Sequence, residues 1–173
     1  MHQAVRDLEA EVGRSALTVP LIAARAGVTP STVYRRWGDL RELLSDVAVE
    51  RLRPDGAPTD HGSLRADLEA WAAQFAEEMS STAGRTYIRD ALLGDPEQGN
   101  AIRCSDYAAE QLKALGMRAA GRGEAVPDLE TLLDVVVAPL MYRILFRPSD
   151  LSTAYTDRLV AAAVGRSSLP PQA

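Results

Sequence analysis

Two small hydroxyls, Ser31 and Thr32, are followed by two guanidinium groups, Arg35 and Arg36, inside one stretch of helical spacing at residues 30–37. Arginine can make the paired hydrogen bonds that guanine offers at O6 and N7, and hydroxyls with helix N-terminal amides can hold phosphate oxygens. Tyr34 stands beside them, with a hydroxyl that can reach a phosphate. Val33 and Trp37, four residues apart, fall on the opposite face and are expected to point into a core. Either arginine alone also reads as an ordinary solvated position. The groove-reading alternative gains weight from what flanks them.

Upstream, Thr18 stands where an N-cap is needed and Pro20 lies just inside the first turn, where a missing N–H costs nothing. Ile22, Ala23 and Ala26 share one face of the short helix this predicts, with alanines where a second helix must come close. Gly27 can take positive φ and end that helix in a sharp bend, and Val28 is expected to anchor the bend in the core. Thr29 or Ser31 can cap the next helix, with Pro30 in its first turn. The turn is about three residues, the length that joins the two helices of a helix-turn-helix. Asp39 then caps a third helix over 39–53, with Leu40, Leu43, Leu44, Val47, Ala48 and Leu52 turned inward. A helix at residues 1–11 is expected to lie across the motif through Ala4, Val5 and Leu8.

Residues 18–44 resemble the DNA-binding domain of the tetracycline-repressor (TetR) family of bacterial transcription regulators. The pattern is carried by Thr18, Val19, Ile22, Ala23, Ala26, Gly27, Val28, Thr29, Thr32, Val33, Tyr34, Arg36, Trp37, Leu43 and Leu44 at fixed spacing. The resemblance implies a double-stranded DNA operator as partner, with contacts from Thr18, Thr29, Pro30, Ser31, Thr32, Tyr34, Arg35, Arg36 and Arg41. The sequence departs from the pattern at Arg6 and Glu9, where the family's first helix carries apolar side chains, and in two further places. It lacks the basic residues that usually precede the first helix, and it has Leu40 where the family often has a phosphate-touching lysine, leaving Arg41 as the nearby substitute.

The net charge of −5 over 173 residues looks wrong for a DNA binder until it is divided. Residues 1–53 carry eight Arg against seven acids, so the acidic excess lies in the remainder. Arg35, Arg36 and Arg41 form a local positive patch against the single acid Asp39. Cys104 is the sole cysteine, and His2 and His61 stand apart from any ligand-spaced cluster, so neither a disulfide nor a metal site is expected. No cofactor motif, nucleophile triad or Gly-rich phosphate loop is visible, which argues against an enzyme. No apolar run approaches membrane-spanning length and no charged-then-apolar leader precedes the first helix, so a cytoplasmic protein is expected.

Residues 54–62, PDGAPTDHG, are rich in turn formers and mark the boundary between two parts. Helices are predicted beyond it at 64–81, 85–93, 97–120 and 129–146, with a last one opened by Asp150 or Ser152. Asp95 and Pro96 read as a cap and first residue, Ile102 and Met117 as part of an inner stripe, and SSLPPQA at 167–173 as a disordered tail. RGEAVPD at 122–128 and PLMYR at 139–143 resemble motifs of one ligand-binding subgroup of the same family.

The expectation is therefore an all-α protein in two domains. Residues 1–53 form a three-helix DNA-binding domain, 54–63 a linker, and 64–166 a helical effector-binding and dimerisation domain. Residues 129–146 are apolar around most of the helix and must be covered on more than one side, which points to a homodimer through Leu132, Val136, Leu140, Tyr155, Leu159 and Ala163. Trp71, Phe75, Met79, Tyr107, Met141 and Tyr142, with Arg103 or Cys104 as polar contacts, could line a pocket for a small-molecule effector. The same aromatic and methionine stripe also reads as plain core. Repression lifted by an effector is the expected activity. The competing expectation is a dimeric helical interaction protein whose reading head no longer binds DNA.

Overall fold

A computed structural model describes the chain except Asp95, Pro96, Gln98 and residues 167–173. The expected cap at Asp95, the helix start at Pro96 and the disordered tail lie outside the described residues. All regular structure among those residues is helical. The chain forms two compact units, one of residues 1–53 with 86–104 and the other of residues 54–85 with 105–173.

The first unit opens with α1 (His2–Val12), α2 (Val19–Arg25), α3 (Pro30–Trp37) and α4 (Leu40–Leu52). Their inner faces make one core from Val5, Leu8, Ile22, Val33, Trp37, Leu43 and neighbours. Local signals set the helix ends. Thr18 Oγ1 accepts from Leu21 N–H at 3.4 Å to start α2, and Asp39 Oδ1 accepts from Glu42 N–H at 2.9 Å to start α4. Gly27, at φ 69°, closes α2. Its N–H donates to Ala24 O at 3.2 Å and that of Val28 to Ala23 O at 3.0 Å, the paired bonds of a left-handed C-terminal cap. Val28 itself is 37% exposed rather than core. The backbone cap satisfies the turn, and the side chain is left outside.

The second unit holds α5 (Leu64–Ser80), the body of α7 (Asn100–Gly121), and α8 (Leu129–Leu132), which runs into α9 (Ala138–Phe146) and is followed by α10 (Thr153–Arg166). Between α5 and α7 lies α6 (Thr82–Leu93), whose start belongs to this unit and whose remainder belongs to the first. Helices α5, α9 and α10 pack together around Leu68, Ala72, Leu140, Ile144, Val160 and Ala163. Helices α8 and α9 are joined by a π turn at Leu133–Val137. Pro139 has no N–H to give the carbonyl four residues earlier, and Ala138 N–H instead donates to Leu133 O, five residues back.

Several sequence expectations need correction. Helix α7 begins at Asn100, after Gly99 at φ 71°, rather than at 97. Ile102 and Met117 are exposed, not part of an inner stripe. Helix α6 begins at Thr82 because Ser81 Oγ caps it, accepting from Gly84 N–H at 2.9 Å. Of the two expected openings of α10, Ser152 is the cap, as expected, its Oγ accepting from Tyr155 N–H at 3.2 Å. Asp150 is engaged elsewhere, by Arg143 at 2.7 Å.

Gly84 sits where the turn from α5 to α6 presses on itself. A Cβ there would lie 2.9 Å from both Met79 Cα and Met79 O, against backbone that cannot rotate away. Gly84→Ala is expected to cost about 1–3 kcal/mol, read as a lower urea midpoint at unchanged slope. An unchanged midpoint would mean that the turn relaxes freely.

Candidate DNA-binding interface

The inner face of α3 is held by burial of Val33 and Trp37 in the core of the first unit. That fixes the rotation of the helix and turns Ser31, Tyr34, Arg35 and Arg36 to solvent, where all four are exposed. Thr29 and Pro30 are exposed at its N-terminus, and Thr32 is half-buried. Thr29 is the N-cap by position, but its Oγ1 sits 2.9 Å from Ser31 Oγ and 3.0 Å from Thr32 Oγ1 instead of capping an amide. The three hydroxyls thus form one small cluster of donors and acceptors at the positive end of the helix dipole, a suitable seat for phosphate oxygens.

At the other end, the Arg36 guanidinium lies 4.5 Å from the centre of the Trp37 ring. Such stacking restrains the side chain while leaving its N–H edges available. Among the described residues, no acid pairs with Arg35 or Arg36. Arg41 is exposed and its guanidinium is 3.3 Å from Asp39 Oδ2, an exposed contact worth little. Thr18 is exposed at the start of α2, where it serves as cap. The predicted contact residues thus lie at the start of α2, on and just before α3, and at the start of α4, all exposed except the half-buried Thr32.

One residue of this region gave no local signal in the sequence. Asp46, on α4, accepts from Trp37 Nε1–H at 2.9 Å through Oδ2. His2 Nε2 lies 2.9 Å from the same oxygen, and an Arg103 N–H donates to Oδ1 at 3.4 Å. Burial pushes the Asp46 carboxyl up, but the donors Trp37 and His2 and the charge of Arg103 more than offset this and hold it below the ordinary carboxylate range.

The residues expected to form an effector pocket lie on α5, α7 and α9. Trp71 and Phe75 stack at 5.1 Å on α5, and Trp71 Nε1–H donates to Gln111 Oε1 at 3.2 Å. Met79, Tyr107 and Met141 are half-buried. Tyr142 is exposed and packs on Phe146 at 5.4 Å. Arg103 and Cys104 fall in the segment that clusters with the first unit. Burial pushes the Cys104 thiol up to about 11, so it is neutral at physiological pH.

Of the six residues expected at a dimer contact, four are buried within the single chain. Leu132, Val136, Leu140 and Ala163 are sealed inside the core of a single chain and have no surface left for a second copy. Leu159 is half-buried. Tyr155, also half-buried, is flanked by the guanidinium groups of Arg143 at 4.7 Å and Arg158 at 5.3 Å. The apolar surface that α9 leaves uncovered is instead Tyr142, Leu145 and Phe146, the last 69% exposed.

Comparison with known proteins agrees with this geometry. Residues 3–47 match the family model described as bacterial regulatory proteins, tetR family, and residues 58–163 match the tetracyclin repressor-like C-terminal domain. The chain is 29% identical over 168 residues to the uncharacterized HTH-type transcriptional regulator YdeS of Bacillus subtilis, covering 92% of this chain and 84% of that protein. It is 31% identical over 156 residues to the DNA-binding transcriptional repressor TetR of Mycobacteroides abscessus, covering 86% and 81%. A crystal structure from Mesorhizobium loti, assigned to the TetR family of transcriptional regulators, shares the fold with a TM-score of 0.50 at 17% identity, over 96% of this chain and 92% of that one. The chain belongs to the TetR family of helix-turn-helix, DNA-binding transcriptional regulators.

Proposed function

We propose that the protein is a homodimeric repressor that holds a palindromic operator until a small molecule releases it. Residues 1–53 read the DNA, and residues 64–166 carry the dimer contact and the effector site. The observation that carries this reading is α3, whose buried face is locked by Val33 and Trp37 while Ser31, Tyr34, Arg35 and Arg36 stand clear of the core. The Mycobacteroides abscessus relative is a DNA-binding transcriptional repressor, which supports the direction of control. No described helix is long and apolar enough to cross a membrane, consistent with action on DNA in the cytoplasm. We place the chain among regulators and not enzymes.

A dimer supplies what one short basic patch lacks. Two copies of α3 about 34–36 Å apart enter successive major grooves, so every contact is made twice. The uncovered apolar face of α9 is where the second copy sits. Phe146→Asp is expected to convert dimer to monomer in sedimentation at micromolar concentration, since it sets two carboxylates into a shared apolar contact. A variant that sediments as wild type would move the contact off α9. An effector acts by binding better to the conformation whose two reading heads are wrongly spaced. One with equal affinity for both conformations releases nothing.

The deciding experiment titrates the purified protein against DNA flanking its own gene, over a range of salt, with an unrelated duplex as control. Tight, sequence-dependent binding with a steep salt slope is expected. Binding equal to the control on every fragment would favour the dimeric interaction protein with a silent reading head.

A further inference from the structure

We infer that Asp46 is a positioning residue for DNA reading, holding the C-terminal end of the recognition helix α3 through Trp37 while being held in turn by Arg103 at the start of α7. The inference rests on the DNA-binding reading above and adds a residue that touches no DNA.

The geometry is specific. Trp37 is the last residue of α3, and its indole N–H is its only polar group. That N–H donates to Asp46 Oδ2 at 2.9 Å, which fixes the ring in rotation as well as in depth. Arg36 stacks on the outer side of the same ring at 4.5 Å, so the ring that Asp46 orients is the platform for one of the two arginines facing the groove. The other carboxylate oxygen of Asp46 receives Arg103 at 3.4 Å. Arg103 is not left to wander. It also donates to Asn100 Oδ1, and Asn100 Nδ2 donates to Ser45 Oγ at 2.8 Å and to Glu42 Oε1 at 3.2 Å, clamping the first turn of α7 onto α4. A chain of directed hydrogen bonds therefore runs from α7 through Asp46 to the indole and its stacked guanidinium, all within the first compact unit.

Hydrophobic burial holds Trp37 through many individually weak contacts, none of which is directional. A charge-assisted hydrogen bond is directional and stronger. Reading a base edge needs an arginine placed within a fraction of an ångström, so softening its platform loses contacts without unfolding the domain.

The test uses the full-length dimer with Asp46→Asn, Arg103→Met and the double variant. The chain has two tryptophans, so in a Trp71→Phe background the single indole N–H resonance is that of Trp37. Arg103→Met is expected to move that resonance and to weaken operator binding about three- to tenfold. Asp46→Asn, which removes the charge but keeps an acceptor, is expected to weaken it about ten- to a hundredfold, with sedimentation unchanged. The double variant should bind no worse than Asp46→Asn, because Arg103 acts through Asp46. An unmoved indole resonance in Arg103→Met, additive losses in the double variant, or wild-type affinity in Asp46→Asn would each overturn the inference. If the wild-type protein itself shows no sequence-specific DNA binding, the regulator reading fails instead. The indole resonance still decides whether Arg103 and Asp46 set the ring.

Discussion

Replacing Arg35 with Ala is expected to weaken operator binding by about 30-fold to about 3 × 10⁴-fold while leaving melting temperature and sedimentation unchanged. The lower bound comes from about 1 kcal/mol per lost base contact and the upper from about 3, each counted twice because a dimer reads two half-sites. Stability should not move, because Arg35 is exposed and pairs with no acid among the described residues. Arg36 differs. Its stacking on Trp37 at 4.5 Å gives Arg36→Ala a small cost in stability, about 0.5–1 kcal/mol, besides its loss of affinity. The kind of contact can also be read. A base contact relaxes preference at one operator position, whereas a phosphate contact lowers affinity for all sequences and shallows the salt slope by about one unit per contact. Tyr34 and the hydroxyls at Thr29, Ser31 and Thr32 should lower affinity for all sequences alike but leave the salt slope nearly unchanged, because they carry no charge and release no counterion. Arg35→Ala binding the operator as tightly as wild type would leave base reading on α3 to Arg36 alone.

The reading head was legible because its signals are local. Thr18 and Asp39 each cap the helix that follows within three residues, and Gly27 takes the positive φ that ends α2, so the angle between α2 and α3 is written in a few adjacent positions. Which side of an apolar helix faces its own core is not local. Residues 129–146 are apolar nearly all round, and periodicity cannot say which stripe the chain keeps for itself. The structure gives Leu132, Val136 and Leu140 to the core and leaves Tyr142, Leu145 and Phe146 outside. Asp46 was illegible for a related reason. Its partners lie nine residues upstream at Trp37 and far along the chain at His2 and Arg103, and such pairings leave no mark in spacing.

The stretch 54–62 makes the same point and carries the second large effect. Its glycines and prolines read as a free boundary loop, yet α7 straps it down. Gln111 donates to Gly56 O at 2.7 Å, and Arg118 donates to Pro58 O at 3.0 Å and Thr59 O at 3.1 Å. The strap meets α5 at Asp67, whose side chain is 0% exposed and 3.0 Å from Arg122. The same carboxylate accepts from His61 N–H at 2.6 Å and lies 3.6 Å from Arg118 Nε. One buried carboxylate thus joins the loop, α5 and α7.

Asp67→Asn should therefore destabilise the second unit by about 3 kcal/mol, toward the low end for a broken buried pair because Arg118 and Arg122 keep about a quarter of their side chains in water. The effect should depend on pH in a definite direction. Burial raises the Asp67 carboxyl, but His61 N–H, Arg122 and Arg118 overcome it and hold the folded value below the ordinary one. A group depressed on folding contributes stability above its unfolded pKa of about 3.9, and that contribution disappears as pH falls through the folded value. The stability gap between wild type and Asp67→Asn should accordingly be full at neutral pH and shrink in acid below about pH 4. Urea titrations of both proteins across that range measure it directly. A gap independent of pH would mean that shape and hydrogen bonding at Asp67, and not its charge, hold the strap to the body.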